Sequence, residues 1–300
     1  MEQTERRFVN KKPLAIIKKI EMHPSKLSLK FILILLILSN VCWSQNLILK
    51  GTVKGVNNEK LAYVNIGIKN KNIGTISDEN GHFSIRIREE NQSDSLSFSY
   101  VGYKQRTIKV SDVIQKSISE FVLEEKLVPL EEVTIIAKKT KEKKLGTTSY
   151  VSFVVGDVRA DNNQNNNIQE FAKKLKIKKP SRLLDVNIAL SNVNIDAAKF
   201  RVNFYSIKDN LPFEKIGSRS IIIEKQIING WNSFDLKKFD LKFEKSVFIA
   251  IEYLPQEYNE QAPFNYNGQL LGRAVGRTSS LGTWDVTKGA KIAMYVTVRQ

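Results

Sequence analysis

From residue 46 onward, apolar residues recur at every second position, the pattern of strands with one buried and one polar face. Leu47, Leu49 and Val53 open it, and Ala62, Val64, Ile66 and Ile68 continue it. Phe83, Ile85 and Ile87 follow, then Leu96, Phe98 and Tyr100, then Ile108 with Val110, and Phe121 with Leu123. Turn-forming residues punctuate these runs. Asp78 suits the first position of a tight turn, bonding the backbone two residues on, and Gly81 tolerates positive φ. Gly74 and Gly102 are assigned to turns or bulges on the same logic. Short strands at about 8–12 residue spacing predict a β-sandwich over residues 46–125.

A second alternating series occupies residues 146–300, after a boundary at 126–145 read as a strand plus linker. Leu183–Leu190, Phe200–Ile207, Ile221–Ile223, Trp231–Leu236, Val247–Tyr253 and Ile292–Val298 all read as strands. About eight strands in this length predict a second, jelly-roll-like sandwich of two sheets. Gly272–Gly282, which is glycine-rich without the order of a phosphate-binding loop, is expected to be a long loop before the last strand. The fold class is therefore all-β.

Residues 1–44 break the pattern. Phe31–Leu38 (FILILLIL) is a continuous apolar run, preceded by Lys26 and Lys30 and followed by small residues before Gln45. That arrangement predicts a secretory signal peptide, with Met22 as an alternative start. The run is too short for a spanning helix, which needs about 20 apolar residues. A lipoprotein signal acylated at Cys42 is the rival, and Val41 directly before the cysteine fits it poorly. Export to the periplasm, outer membrane or cell surface is the expectation, with no transmembrane span in the mature chain. Cys42 is the only cysteine, so a chain cleaved after it holds no disulfide and no thiolate zinc site.

The ordered set LKGTVKG, YVNIGIKNKNIGTISDENGHFSIRI and LSFSYVGYKQRTIKV resembles the carboxypeptidase-like regulatory domain family. The matching features are Gly51–Val53, Val64–Ile66, Gly74–Phe83 and Ser99–Tyr103, and the likeness spans roughly residues 46–125. The resemblance implies a seven-stranded, transthyretin-like sandwich of exported proteins, with no peptidase activity. Leu130-Glu131-Glu132-Val133-Thr134-Ile135 resembles the segment leading into the plug of TonB-dependent outer-membrane receptors. Too little chain follows to build such a receptor's barrel, so Leu130, Val133 and Ile135 are candidates for strand addition to a partner. The order FRVNFYSI, GWNSFDL, FIAIEYLP is similar to the C-terminal domains attached to regulatory domains in this family, and to galactose-binding-like folds.

The net charge of +16 falls to +11 without residues 1–44, which hold eight basic and three acidic residues. An exported basic protein meets acidic glycans, phospholipid head groups or lipopolysaccharide sooner than nucleic acid. Much of the excess sits in Lys138–Lys144 and Lys173–Lys179, read as a solvated linker and a basic strand edge that resists edge pairing.

Catalytic chemistry is poorly supplied. The chain has two histidines, His23 in the leader and His82 in the hairpin. One mature histidine supplies neither a zinc peptidase site nor a credible Ser-His-Asp base. Carboxylate-only hydrolysis needs two acids converging in a cleft, and no pair stands out. Asp161, Asn163 and Asn165 match the first ligands of a calcium loop, but Asn166 and Ala172 stand where glycine and glutamate belong. No metal and no cofactor are expected. Trp231, Tyr253, Tyr258, Tyr266 and Trp284 are candidate aromatic platforms, with Trp231 and Tyr253 expected in the core. Trp284, Arg273, Arg277 and Tyr266 form the expected ligand-binding set. These readings describe a non-catalytic envelope module binding a glycan or protein. The alternatives are an accessory subunit of an outer-membrane receptor system and, last, a hydrolase.

Overall fold

The computed structural model describes residues 46–126, 140–157, 168–255 and 262–300. Seven strands build the first region: β1 (Asn46–Gly55), β2 (Asn65–Ile68), β3 (Ile73–Ile76), β4 (His82–Arg88), β5 (Ser95–Ser99), β6 (Arg106–Lys109) and β7 (Glu120–Leu123). They form a three-stranded sheet in the order β4-β1-β7 and a four-stranded sheet in the order β3-β2-β5-β6. The alternation read from the sequence explains the packing between them. Phe83, Ile85 and Ile87 of β4 face inward and meet Leu96 and Phe98 of β5 and Phe121 of β7. Phe98 stacks on Phe121 at 4.4 Å between ring centroids, and Phe83 meets both edge-on. Burying each such ring contributes roughly 1.5–3 kcal/mol.

Local chemistry sets the β3–β4 turn. The Oδ1 of Asp78 accepts from the backbone N–H of Asn80 at 2.8 Å and of His82 at 2.9 Å. Gly81 then carries a φ of 78°, a left-handed value that a side chain would strain. One element departs from the expected alternation. Val110 begins a short helix, α1 (Val110–Gln115), with Val110 and Val113 buried one turn apart instead of extending β6.

Twelve strands form the second region: β8 (Glu142–Gly146), β9 (Val151–Asp157), β10 (Gln169–Leu175), β11 (Ser181–Ser191), β12 (Ala197–Lys208) and β13 (Leu211–Gln226), then β14 (Gly230–Asp235), β15 (Lys242–Phe243), β16 (Val247–Leu254), β17 (Asn265–Arg277), β18 (Asp285–Ile292) and β19 (Met294–Arg299). The layers expected of a jelly-roll-like sandwich are joined here in one continuous pairing path, β13-β12-β16-β10-β17-β11-β19-β8. Strand β17 is the hinge of this path. Its start pairs with β11 at Tyr266 and its end pairs with β10 at Gly276, so the sheet rolls over and closes a core on itself. Phe200 of β12 meets Phe234 of β14 edge-on at 5.1 Å across that core.

Three sequence expectations are corrected here. Most of the glycine-rich stretch from Gly272 is strand, because β17 needs its length to serve both layers. Lys141 to Lys144 are not linker: β8 pairs with β19 from Glu142 to Gly146. Lys173 lies on no edge, since β10 is flanked by β16 and β17.

The consequence for Lys173 is electrostatic. Its amino group donates to Thr147 Oγ1 at 2.5 Å. Burial, with Lys291 adding repulsion, lowers it from 10.5 to about 8. A lysine depressed in the folded state penalises folding while charged, and the penalty shrinks as pH rises from about 8 to 10.5. Lys173→Met is therefore expected to raise the melting temperature at neutral pH, with the gain fading toward pH 10.5; a gain independent of pH contradicts the assignment.

Candidate functional site

The outward faces of β12, β16, β10 and β17 carry Arg201, Asn203, Glu252, Glu170 and Arg277 among apolar neighbours such as Phe248, Ala250 and Val275. Here that face is buried. Ala198, Phe200, Val202 and Phe204 point into the core, while Lys199, Arg201, Asn203 and Tyr205 point out and are still almost wholly covered. Arg201 binds both carboxylate oxygens of Glu252, at 2.8 and 2.5 Å. Asn203 bridges Glu252 and Glu170 at 2.7 Å each. Glu170 also accepts from Tyr205 at 2.8 Å and from Arg277 at 2.7 Å.

The first region supplies part of the cover. Arg201 donates to the Tyr63 carbonyl, and Lys199 donates to Glu79 at 2.5 Å and to the Tyr63 hydroxyl at 2.9 Å. The contact with Glu79 raises the Lys199 amino group above its ordinary range, and Lys199 in turn lowers the Glu79 carboxyl. Burial would raise the Glu252 carboxyl, but Arg201 outweighs it and holds it down at about 2. The seam continues along β2 and β3, whose residues are buried on both faces. Gly67 and Gly74 are cross-strand partners. A side chain on Gly74 would meet the Ser280 carbonyl oxygen at 2.3 Å, and one on Gly67 would meet it at 2.7 Å. Gly74 is thus no turn glycine, as the sequence suggested; it lies inside β3 and lets another backbone come close. Gly102, at φ 87°, does sit in a turn, and it too faces a second-region carbonyl, that of Ser218.

Glu170 and Glu252 are two carboxylates brought together, the feature that carboxylate hydrolysis requires. Each is fully buried and paired with its own arginine. Each carboxylate is thus neutralised in place by a guanidinium, as in a buried ion pair. Among the described residues, no group of three or more His, Cys, Asp or Glu is placed to hold a metal ion. His82 is exposed, with Nδ1 2.9 Å from Thr52 Oγ1. It borders a hollow of about 520 Å³ shared with Tyr63, Asp78, Glu79 and Pro255.

A second hollow, about 390 Å³, opens where the two regions meet. Asn70 of the first region, Lys208, Asp209 and Phe213 of the β12–β13 hairpin, and Trp284 with Thr283 line it. Trp284 is partly buried. The Arg277 guanidinium lies 4.5 Å from its ring centroid, and Tyr205 meets it edge-on at 5.3 Å. Phe213 is 51% exposed, with the Lys208 amino group 4.7 Å from its ring centroid.

The expected ligand set is only partly assembled. Arg277 does touch Trp284, but from beneath, as a buried partner of Glu170. Tyr266 is fully buried in the β17 core against Phe171 and Phe264, so it is not a surface platform. Arg273 is exposed four positions before Arg277 and does not line the hollow. Phe213, Lys208 and Asn70 were missed. Phe213 follows Asn210-Leu211-Pro212, turn-forming residues at the β12–β13 hairpin that are the local signal for it. Leu130, Val133, Ile135, Tyr258 and the Asp161–Asn167 loop lie outside the described residues.

Fold and site together define an all-β module, a regulatory-type sandwich joined to a second sheet-rich region. Residues 49–135 match the family model of the CarboxypepD_reg-like domain, less than a third of the chain. No curated protein matches the sequence. Among solved structures, the major pilin subunit BcpA of Bacillus cereus is similar over 83% of this chain and 69% of that one. The identity is 13% and the TM-score 0.18, too low to define a shared fold.

Proposed function

We propose that this chain is an exported, non-catalytic module of the cell envelope that binds a glycan in the hollow beside Trp284. The observation that carries the reading is the pair of rings there. Trp284 is fixed by Arg277 and Tyr205, and Phe213 stands exposed on the same hollow. Sugars present apolar ring faces and rims of hydroxyls. An anchored aromatic meets the first, and Asn70, Lys208 and Asp209 offer donors and acceptors for the second. The paired burial of Glu170 and Glu252 supports the non-catalytic half of the reading.

The test is retention on a purified envelope fraction. Trp284→Ala is expected to weaken it about tenfold or more, as loss of an anchored aromatic does at binding hot spots. Because Trp284 also covers Arg277, Phe213→Ser serves as the second variant, altering the hollow through an exposed side chain. Retention unchanged in both variants would remove the hollow as the binding site.

A further inference from the structure

Two well-exposed apolar side chains stand next to each other, away from the hollow. Leu270 is 58% and Leu271 84% exposed. They sit where β17 crosses from one layer to the other, at a bulge against β18. The register runs Leu270 to Ala290 and then Arg273 to Lys288, so Leu271 and Gly272 oppose Gly289 alone. A rolled sheet needs a bulge at such a corner. It does not need leucine in it. Leu271 carries a φ of 62°, where glycine or asparagine fits with less strain, and its side chain is almost entirely in solvent. Across from it, Gly289 is open, with nothing within 4 Å of where a Cβ would stand.

Cations surround this projection. Arg273 and Lys288 face each other directly across the strands, an arrangement of like charges that costs stability. Lys291 lies against Gly272, near enough that a Cβ there would meet its side chain at 2.8 Å. None of Arg273, Lys288 and Lys291 forms an ion pair with an acid among the described residues. The fold thus holds two solvent-exposed leucines on the strand pair that also carries Arg273, Lys288 and Lys291. A bilayer surface is complementary to both features, with acyl chains for the leucines and anionic phosphates for the cations.

We propose that the Leu270–Leu271 bulge, with Arg273, Lys288 and Lys291, is a docking point for an anionic phospholipid surface. The leucines enter the boundary between headgroups and acyl chains, and the three cations lie at the phosphates. The charge component makes the contact reversible and sensitive to salt. This docking is separate from the hollow beside Trp284, and neither needs the other.

Residues 45–300, one compact unit that lacks the apolar run Phe31–Leu38, are the protein to test. Its co-sedimentation is measured with phosphatidylcholine vesicles that contain phosphatidylglycerol or lack it. Binding is expected only where phosphatidylglycerol is present. Leu270→Ser with Leu271→Ser, and separately Arg273→Glu with Lys288→Glu, should each weaken it about tenfold or more. All four side chains are exposed, so these variants keep the fold, which a melting curve verifies. Trp284→Ala should bind vesicles like the parent, which keeps failure of this proposal apart from failure of the glycan reading. No binding by the parent, equal binding to neutral vesicles, or full binding by either double variant would overturn the proposal.

Discussion

Replacing Arg201 with methionine should destabilise the chain by about 3–5 kcal/mol, the cost of stranding a buried charge. Glu252 would keep its full burial while losing the guanidinium that binds both its oxygens. The double replacement Arg201→Met with Glu252→Leu should recover most of that loss, because two well-packed apolar residues substitute for a buried pair at little net cost. Urea titration of the parent, single and double variants measures both effects. Acid provides an independent check. The Glu252 carboxyl is held at about 2, below its ordinary 4.5, so its contribution is complete above 4.5 and is lost as pH falls toward 2. The single variant should lose part of that dependence. A single variant as stable as the parent would mean that the pair does not organise the seam.

Gly74→Val should have the next largest effect, and it acts on the contact between the two regions. The new Cβ alone would stand 2.3 Å from the Ser280 carbonyl oxygen and 2.9 Å from Ser279 Oγ. The first clash is with backbone, which cannot rotate away as a side-chain end can. Overpacking a close-packed contact costs about 1–3 kcal/mol, and a fixed obstacle belongs at the upper end. The expected result is a sandwich core left intact and a seam forced open, seen as faster proteolysis near Ser279–Gly282. Gly74 carries no left-handed φ, so the substitution introduces the clash and not backbone strain. Proteolysis near Ser279–Gly282 unchanged from the parent would contradict the seam assignment.

These two sites show where reading the chain alone succeeds and fails. The strands of the first region were legible because Phe83, Ile85 and Ile87 alternate with polar neighbours and bury one face only. The Asp78 turn was legible because its hydrogen bonds run to residues two and four positions away. Arg201 and Asn203 alternate equally cleanly with Phe200, Val202 and Phe204, whereas Glu252 stands alone in the apolar run Val247–Leu254. Alternation reports that a strand has two unlike sides. It does not report whether the polar side meets water or a second sheet. Gly74 failed for the same reason: glycine marks a turn or a close approach, and the approaching atom lies about 200 positions away.

Local chemistry along the chain determined that this protein is built of strands, where its first sandwich lies and which rings fill that core. Those properties depend on neighbours one to four residues apart. Only the tertiary structure decided that β17 joins both layers of the second region, that the charged faces are buried as pairs, and that Trp284 shares a hollow with Phe213. Each of these depends on which distant surface comes to cover a face, and a covered face and a wetted one share the same alternating pattern.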